Sequence, residues 1–356
     1  MKISSEKYIA THSLKETATI KDALDAINNL SGGVPLLFIT NNDEVLCGTL
    51  TDGDIRRALL RGVGLQNPVT EAMNLHFSYI ERGKNPYDIV ADGKKRKLKL
   101  IPVTENGHIV SLIDLDSINA MLPIDVVLMA GGKGERLRPL TLHTPKPLLK
   151  VAGVPIIDRN IAQLEKFGIQ RIFTTVNYLH EQIEEHFALK NASGTGAHVE
   201  CVLEPKRLGT LGSLALIQDF RHENILVMNS DLLTSIDFEK MWHHHVKSGS
   251  AVTIGGVPYT VSIPYAIMKT DGYEVLGLEE KPTFNYFANG GVYILKTELL
   301  NRIKRDEYLD APDFIESLIS EGLKVTYYPI EGRWIDIGSP DDFRAANALL
   351  AQEIKP

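Results

Sequence analysis

A glycine-rich loop with four nearby cations is the part of this sequence that most plainly suggests chemistry. It lies in the stretch VVLMAGGKGERLRPLTLHTPKPLL, residues 126–149, directly after an apolar run. Gly131, Gly132 and Gly134 let the backbone turn sharply and approach a ligand closely. Positive charge follows at Lys133, Arg136, Arg138 and Lys146. Bare backbone amides beside cations suit a polyanion, and phosphate is the ligand that we expect here.

Two common phosphate-binding loops do not fit this spacing. A Walker loop requires Ser or Thr after its Gly-Lys pair, whereas Lys133 is followed by Gly134 and Glu135. The dinucleotide fingerprint requires a third glycine where this chain has Leu137. The loop is therefore expected to belong to another class of phosphate-binding site.

Strands and helices alternate from residue 124 onward. The predicted strands DVVLMAGG, RIFTTVNY, HVECVLE and NILVMNSD are separated by segments with helical periodicity, IIDRNIAQLEKFG, HEQIEEHFAL and TLGSLALIQDF. This alternation predicts an α/β fold with a doubly wound, mostly parallel sheet. Ligands bind such sheets at the carboxyl ends of the strands. The glycine loop, the Glu204–Pro205 pair and Asp231 all follow predicted strands.

Two segments before residue 122 resemble each other. Residues 34–60 and 98–122 each read as a strand, a turn with hairpin chemistry (NNDE or ENGH), a second strand and a helix that begins near an acidic residue. A repeat of roughly sixty residues predicts two copies of one small α+β module, at about 8–62 and 63–121. The proline in MLPID marks the boundary. We therefore expect one domain at 1–121 and another at 122–356.

Composition restricts the classes of function. The chain has 356 residues, of which 44% are hydrophobic and 23% charged, as in an ordinary globular protein of two or three domains. Its net charge of -7 argues against a nucleic-acid partner. Cys47 and Cys201 form no CxxC pair, so we expect neither a disulfide framework nor a zinc site. With no signal peptide and no apolar run of membrane-spanning length, a cytoplasmic protein without a membrane partner is expected.

Further motifs follow the glycine loop in order: EPKRLGTLGSL, VMNSD, EEKP, NGGVYIL and WIDIGSPDDF. Together they resemble the sugar-1-phosphate nucleotidyltransferases over about residues 124–350. The resemblance implies a Rossmann-like, GT-A-like fold that joins an NTP to a sugar 1-phosphate and releases pyrophosphate. The sugar phosphate is already ionised at neutral pH, so direct in-line attack requires no nucleophilic side chain. Positioning and electrostatics then provide the rate enhancement.

The resemblance also implies roles for individual residues. The implied catalytic residues are Arg136 at the pyrophosphate, Lys146 near the reacting phosphates and Lys281 at the sugar phosphate. The implied nucleotide contacts are Leu128, Ala130, Gly131, Gly132, Gly134, Leu208, Gly209 and Thr210. The implied sugar contacts are Glu280, Asn289 and Gly290. Asp231 and Asp336 are the implied ligands of Mg²⁺, which prefers oxygen. Ser230 stands where the family commonly has glycine, which predicts a tighter space beside the metal.

The repeated N-terminal module resembles the CBS domain, which occurs as tandem pairs, over roughly residues 8–120. Its specific part is GTLTDGD, in which Thr51 and Asp54 are the implied contacts to the ribose of an adenine nucleotide. The second copy has Asp114 and Ser117 at the corresponding positions, so the expected carboxylate is missing there. Binding of AMP or ATP and dimerisation alone both stay open. We expect a homo-oligomer that assembles through the CBS pair.

The sequence indicates the reaction class but not the substrates. PKPLL is similar to the corresponding segment of guanylyltransferases and related enzymes. A CBS pair in front of this domain resembles a narrower group, some of whose members make GDP-glucosamine for bacterial legionaminic acid. GTP and glucosamine 1-phosphate are the leading expectation, followed by a mannose-1-phosphate guanylyltransferase or a uridylyl or cytidylyl enzyme. An adenine-nucleotide sensor with an inactive transferase domain is an alternative of another class.

Overall fold

The structure is a computed structural model that describes residues 2–3, 6–30 and 33–353. The chain divides into two compact units, Met1–Pro123 with Glu165–Gly168, and Ile124–Leu164 with Ile169–Pro356. In the described ranges, no helix is long and apolar enough to cross a membrane. The roles expected for the two domains, regulatory or dimerising and catalytic, stay predictions.

The first unit contains two small sheets with helices. Its strands are β1 (Lys2–Ile3), β2 (Ser13–Lys15), β3 (Leu36–Thr40), β4 (Leu46–Thr51), β5 (Ile80–Glu81), β6 (Leu100–Glu105) and β7 (His108–Asp114). Its helices are α1 (Glu6–Thr11), α2 (Ile20–Asn29), α3 (Asp52–Leu60) and α4 (Tyr87–Lys95). One sheet has the order β1-β7-β6-β5 and the other β2-β3-β4. A cluster of buried side chains from both sheets includes Phe38, Leu46, Leu100 and Leu112.

Both predicted hairpins are present in the first unit. β3 pairs antiparallel with β4, and β6 with β7. The second turn has Asn106 and Gly107 at positive φ of 52° and 83°, the conformation that an Asn-Gly pair favours. The helix predicted after the second hairpin is wrong, because the chain leaves Asp114 as turns and bends. The second copy lacks the Thr-Asp capping pair with which Thr51 begins α3.

The chain from residue 124 onward has the alternating strands and helices expected from the sequence, except that the helix predicted over 210–220 is wrong and is replaced by one helical turn and a short 3-10 turn. Its strands are β8 (Asp125–Met129), β9 (Lys150–Val151), β10 (Val154–Pro155), β11 (Arg171–Val176), β12 (His198–Leu203), β13 (Asn224–Asn229), β14 (Leu232–Thr234), β15 (Val252–Ser262), β16 (Ile267–Asp271), β17 (Glu274–Glu279), β18 (Thr283–Lys296), β19 (Val325–Pro329) and β20 (Trp334–Asp336). Its helices are α5 (Ile156–Glu165), α6 (His180–Ala192), α7 (Gly209–Gly212), α8 (Phe238–Ser248), α9 (Ala311–Ser320) and α10 (Pro340–Glu353).

A seven-stranded sheet organises this second unit. Its order is β12-β11-β8-β13-β18-β15-β19. The first four of these strands are mutually parallel, and β18 runs antiparallel to both of its neighbours. β8 lies in the middle and is almost entirely buried, as a continuous apolar strand between helical layers should be. The predicted α/β fold with a mostly parallel sheet is confirmed.

Two of these strands continue far beyond the core of the sheet. β15 and β18 pair from Val252↔Leu295 at the buried end to Ser262↔Thr283 at the exposed end. β16 and β17 form a separate hairpin between them. Residues 257–288, hereafter the arm, change from the buried pattern of the sheet to an exposed one.

Candidate active site

Four loops meet at the carboxyl edge of the parallel strands. The first residues of interest after β8, β11, β12 and β13 are Gly131, Asn177, Glu204 and Asp231 respectively. Backbone bonds hold these strand ends together: Ala130 N–H donates to the Thr175 carbonyl at 2.9 Å, and Glu204 N–H donates to that of Val176 at 2.8 Å. The residues that follow these four strands therefore lie together at the carboxyl edge of the sheet, where the sequence predicts the site.

The three glycines of the loop are required for different structural reasons. Gly134 has a φ of +60°, and a Cβ there would lie 2.9 Å from the Thr141 side chain and 3.2 Å from that of Lys146. A Cβ on Gly131 would lie 2.8 Å from Oε1 of Glu204, whereas one on Gly132 would meet nothing within 4 Å. Packing thus excludes side chains at Gly131 and Gly134. Gly132 faces open space, where a ligand can approach the backbone.

A buried lysine joins the two predicted metal ligands. Lys146 is 9% exposed and lies between two buried prolines, Pro145 and Pro147. Its Nζ donates to Oδ2 of Asp231 and lies 3.9 Å from Oδ1 of Asp336. Burial lowers the effective dielectric constant around these charges, so their interactions are stronger than at the surface. The three residues form a charged, partly buried cluster at the sheet edge.

Pairing between two short strands explains how distant aspartates meet. β14 pairs antiparallel with β20, which sets Leu232 opposite Asp336. Ile337 N–H then donates to the Asp231 carbonyl at 3.2 Å. Burial and the negative charge of Asp231 raise the pKa of the Asp336 carboxyl, although Lys146 and Arg136 oppose the shift. Two carboxylates this close are stabilised by cations, and Lys146 supplies one of them.

The Asp231 side chain has capacity for one more partner. Its Oδ1 is buried and accepts no hydrogen bond from any residue that the structure describes. Most buried polar atoms in proteins have a partner, so an exception of this kind points to a ligand. No group of three or more His, Cys, Asp or Glu side chains in the described ranges could hold a metal. Two carboxylates that leave positions for water and substrate oxygens nevertheless fit Mg²⁺.

Ser230 is turned toward the sheet. Its hydroxyl donates to the Met129 carbonyl at 2.7 Å, and its own carbonyl accepts from the Asn160 side chain at 3.0 Å. The serine is 2% exposed. Its side chain thereby ties the end of β13 to the end of β8, a role that glycine could not have.

Arg136 is a cation beside the glycine loop that is free to bind an anion. Its guanidinium lies against Gly338, where a Cβ would be 3.0 Å from Nη2. Among the described residues it has no hydrogen bond or ion pair, whereas Arg138 lies 3.9 Å from Glu135 in a surface pair. Arg136 therefore offers its hydrogen-bond donors to a ligand beside the glycine loop.

The loop predicted to contact the base is fastened to the start of α9. Thr210 N–H donates to Oδ1 of Asp310 at 3.1 Å, and Ala311 N–H donates to the Thr210 hydroxyl at 2.6 Å. Gly209 has a φ of +77°, and a Cβ there would lie 2.6 Å from the Leu309 carbonyl oxygen. The predicted nucleotide contacts Leu128, Ala130 and Leu208 are almost fully buried. Contact of these residues with a base stays a prediction.

A cleft of about 460 Å³ lies beside the carboxylates. Its lining contains Thr210, Asn229, Leu232, Asn289, Gly290, Gly291, Tyr293, Asp310, Pro312, Asp313, Trp334 and Asp336. The Trp334 indole donates to the Gly290 carbonyl at 2.9 Å. A Cβ on Gly290 would lie 2.7 Å from the Gly255 carbonyl oxygen. Packing between the strands thus requires glycine at position 290, whether or not a sugar also approaches its backbone.

The predicted sugar contact Glu280 and the predicted catalytic residue Lys281 lie away from these carboxylates. They stand on the arm and form an ion pair of 4.0 Å with each other, with side chains 74% and 69% exposed. No hydrogen bond or ion pair among the described residues connects either one to Lys146, Asp231 or Asp336. The structure thus brings together two of the three predicted catalytic cations, Arg136 and Lys146, with both predicted metal ligands.

Thr51 and Asp54 in the first unit form a helix cap. Oδ2 of Asp54 accepts from the Thr51 N–H at 2.9 Å and from the Thr51 hydroxyl at 2.6 Å. Its Oδ1 accepts from Arg57 at 2.5 Å. Both oxygens therefore have partners within the protein. Ribose binding by this pair stays a prediction, and it requires the nucleotide to compete with these bonds.

Two acidic residues at the site have no role assigned from the sequence. Glu204 is 5% exposed, its Oε2 accepts the Leu208 N–H at 3.2 Å, and burial raises its pKa. Asp313 lines the cleft in the first turn of α9, and no described residue pairs with its carboxylate. The position of Glu204 at the end of a predicted strand could have suggested it. Asp313 had no such signal, because it belongs to none of the motifs that follow the glycine loop in the sequence.

Two families match the chain. Residues 125–353 match the sequence profile described as nucleotidyl transferase. Residues 7–61 match that of the CBS domain. HddC from Yersinia pseudotuberculosis, a solved structure, has a similar fold, with a TM-score of 0.50 and 24% identity over 64% of this chain and 99% of its own.

Curated relatives extend the comparison. A mannose-1-phosphate guanylyltransferase of Mycobacterium tuberculosis is 30% identical over 65% of this chain and 66% of its own length. A UTP–glucose-1-phosphate uridylyltransferase of Synechocystis is 29% identical over 64% of each. The chain thus spans slightly less than two thirds of these relatives. Because the first profile covers more than half of the chain, the protein belongs to the nucleotidyl transferase family.

Proposed function

We propose that the protein transfers a nucleoside monophosphate from an NTP to a sugar 1-phosphate and releases pyrophosphate. The observation that carries this proposal is the Lys146, Asp231 and Asp336 cluster beside an open glycine loop and a sugar-sized cleft. Mg²⁺ held by Asp231 and Asp336 would reduce the repulsion between two anionic reactants. Asp231 offers it a buried oxygen without a protein partner.

The residues of the chain act by binding and orienting. Amides of the glycine loop and the guanidinium of Arg136 bind the β- and γ-phosphates, which leave as pyrophosphate. Lys146, held by its flanking prolines, provides positive charge beside the α-phosphorus. The oxygen of the sugar phosphate attacks that phosphorus in line as the bond to pyrophosphate breaks. Phosphoryl chemistry of this kind depends on positioning and on charge stabilisation rather than on a protein nucleophile.

We propose GTP as the nucleotide because the Mycobacterium tuberculosis relative is named a guanylyltransferase. Glu204 supports the base loop rather than the base itself, since it is 5% exposed and its Oε2 accepts the Leu208 N–H.

We propose glucosamine 1-phosphate as the sugar substrate because of Asp313. Its carboxylate is exposed in the cleft and is free to pair with a protonated amino group. A neutral hexose would gain no such ion pair. Mannose 1-phosphate is the second candidate, favoured by the name of that same relative.

A pyrophosphate-release panel tests these proposals. Four NTPs are crossed with glucosamine, mannose and glucose 1-phosphates in the presence of Mg²⁺. Turnover with any pair supports the reaction class, and silence with every pair contradicts it. Asp313→Asn should raise KM for glucosamine 1-phosphate several-fold and leave KM for the neutral sugars unchanged. Equal changes for all sugars would contradict the role of Asp313.

A further inference from the structure

The loop predicted to contact the base packs against a segment about a hundred residues further along the chain. This segment, residues 307–311 and hereafter the clamp segment, leads into α9. Leu309 N–H donates to the Leu208 carbonyl at 2.9 Å. The Leu309 carbonyl in turn accepts the N–H groups of Leu211 and Gly212 at 2.9 and 3.2 Å. Three backbone hydrogen bonds thus hold the loop against the clamp segment.

Two glycines of the loop make this close packing possible. A Cβ on Gly212 would lie 2.5 Å from the Glu307 carbonyl oxygen, and one on Gly209 would lie 2.8 Å from Oδ1 of Asp310. Both distances are well below van der Waals contact. A side chain at either position would therefore force the loop away from the clamp segment.

Asp310 and Thr210 exchange capping roles between two helices. Asp310 is the N-cap residue of α9, yet within the described ranges its side chain makes no capping hydrogen bond to that helix. Its Oδ1 instead accepts the Thr210 N–H in the first turn of α7 at 3.1 Å. The Thr210 hydroxyl accepts the Ala311 N–H in the first turn of α9 at 2.6 Å. An N-cap aspartate usually bonds to its own helix, whereas this one holds a neighbouring loop.

Tyr308 holds the other oxygen of the same carboxylate. Its hydroxyl donates to Oδ2 of Asp310 at 2.6 Å, so the carboxylate is oriented from two sides. Hydrogen bonds to an ionised acceptor are roughly twice as strong as those between neutral groups. At the start of the loop, Oε2 of Glu204 accepts the Leu208 N–H at 3.2 Å. The loop is therefore held by one carboxylate at its start and by another at Thr210.

We propose that Asp310 is a positioning residue for the nucleotide. The inference rests on the proposed function, in which the loop that contains Thr210 contacts the base. Asp310 and Thr210 both line the cleft of about 460 Å³, so a shift of the loop changes the space that the nucleotide can occupy. A misplacement of about 1 Å in a group that positions a substrate can lower activity substantially. Asp310 acts through the loop and not by contact with the reacting atoms.

Calorimetric titration of the full-length chain tests the proposal without requiring turnover. Each of the four NTPs is titrated with Mg²⁺ present, and Kd is compared for the nucleotide that the wild type binds most tightly. Asp310→Ala removes the bonds to Thr210 and Tyr308 and should raise this Kd about tenfold. Asp310→Asn keeps an acceptor for the Thr210 N–H, so its Kd should stay within about threefold of the wild type. A wild type that binds none of the four NTPs would overturn the proposal.

Asp237→Ala is the matched control. Asp237 is also an aspartate at a helix N-cap, but its carboxylate accepts the Lys240 N–H of its own helix α8 at 3.0 Å. Its loss should lower the melting temperature by about 2–4 °C and leave Kd for the NTP unchanged. If Asp310→Ala also leaves Kd unchanged, Asp310 does not position the nucleotide.

Hydrogen exchange measures the loop itself, without a ligand. The amides of Thr210, Leu211 and Gly212 donate to the clamp segment. A peptide that spans them should exchange at least tenfold faster in Asp310→Ala than in the wild type or in Asp237→Ala. Equal exchange in all three proteins would show that Asp310 does not hold the loop. Faster exchange with an unchanged Kd would give Asp310 a structural role alone, which also contradicts the proposal.

Steady-state kinetics separate this inference from the proposed function. In the pyrophosphate-release assay, Asp310→Ala should raise KM for the NTP about tenfold and leave KM for the sugar 1-phosphate unchanged. A rise in KM for the sugar 1-phosphate alone would indicate direct contact with the sugar and overturn the positioning role. If the wild type releases pyrophosphate with no pair of substrates, the proposed function fails. The calorimetric and exchange results then still decide the role of Asp310.

Discussion

Asp231 and Asp54 make an instructive pair. The sequence predicts a ligand for each, and each follows the end of a strand. The two oxygens of Asp54 are both occupied, by the Thr51 cap and by Arg57. Asp231 gives one oxygen to Lys146 and keeps the other buried without a partner among the described residues. A carboxylate whose capacity the fold already uses acts in stability, and one with unmet capacity indicates a ligand.

The largest effect is expected from Asp231→Asn. The variant removes a proposed metal ligand and leaves Lys146 without its closest counter-charge. Loss of an electrostatic contact at a reacting centre typically costs a factor of about 10²–10³ in rate, and we expect at least that in pyrophosphate release. The control is Asp341→Asn, which removes an exposed ion pair with Arg344 in α10. If Asp231→Asn were as active as the wild type, the unmet capacity of Asp231 would not indicate a ligand, and Asp231 would not differ from Asp54 in this respect.

An intermediate effect is expected from Gly338→Ala. The new Cβ would lie 3.0 Å from Nη2 of Arg136, so the guanidinium must shift by a few tenths of an ångström beside the glycine loop. We expect kcat/KM for the NTP to fall about threefold, because a small misplacement of a positioning group lowers the rate. Melting temperature should change little. Gly277→Ala, where a Cβ meets nothing within 4 Å, is the control. Unchanged kinetics would show that Arg136 acts from another position or not at all.

A smaller effect, on stability alone, is expected at His245. This buried imidazole is satisfied by Thr253 and Asn224 at 2.9 and 3.0 Å. Burial, with the nearby charges of Lys296 and His244, lowers its pKa from 6.5 to about 4.

The unfolded chain thus binds a proton between pH 6.5 and 4 that the folded chain does not. Stability from this group is full above pH 6.5 and is lost as the pH falls toward 4, by up to about 1.4 kcal/mol per pH unit. Between pH 6.5 and 4, the melting temperature should fall more steeply with decreasing pH for the wild type than for His245→Gln. The exposed neighbour His243→Gln should keep the wild-type slope. An equal slope in all three proteins would contradict the assignment.

Local pattern predicts the strands and the site edge but not the long-range pairings. Continuous apolar runs such as β8 predict the strands, and the residues directly after them predict the site. Both predictions depend only on a few adjacent residues. The helix predicted at 210–220 is instead α7, which ends at Gly212, and a short 3-10 turn. Bonds from Thr210 to residues 310–311 dominate there, a hundred residues away. The exposed state of Glu280 and Lys281 likewise depends on the arm as a whole.

The smallest effect is expected from Thr51→Ala. The variant removes the N-cap of α3, which should cost about 1 kcal/mol of folding free energy. Thr19→Ala is a matched control, since Thr19 and Asp22 form the same capping box on α2 but carry no predicted ligand. Calorimetric titration of the full-length variants with AMP and ATP then compares the two caps. If the fold uses the whole capacity of Thr51 and Asp54, the two variants should respond to nucleotide alike. Loss of AMP or ATP binding in Thr51→Ala alone would show that a carboxylate satisfied by its own helix can still exchange those bonds for a ribose.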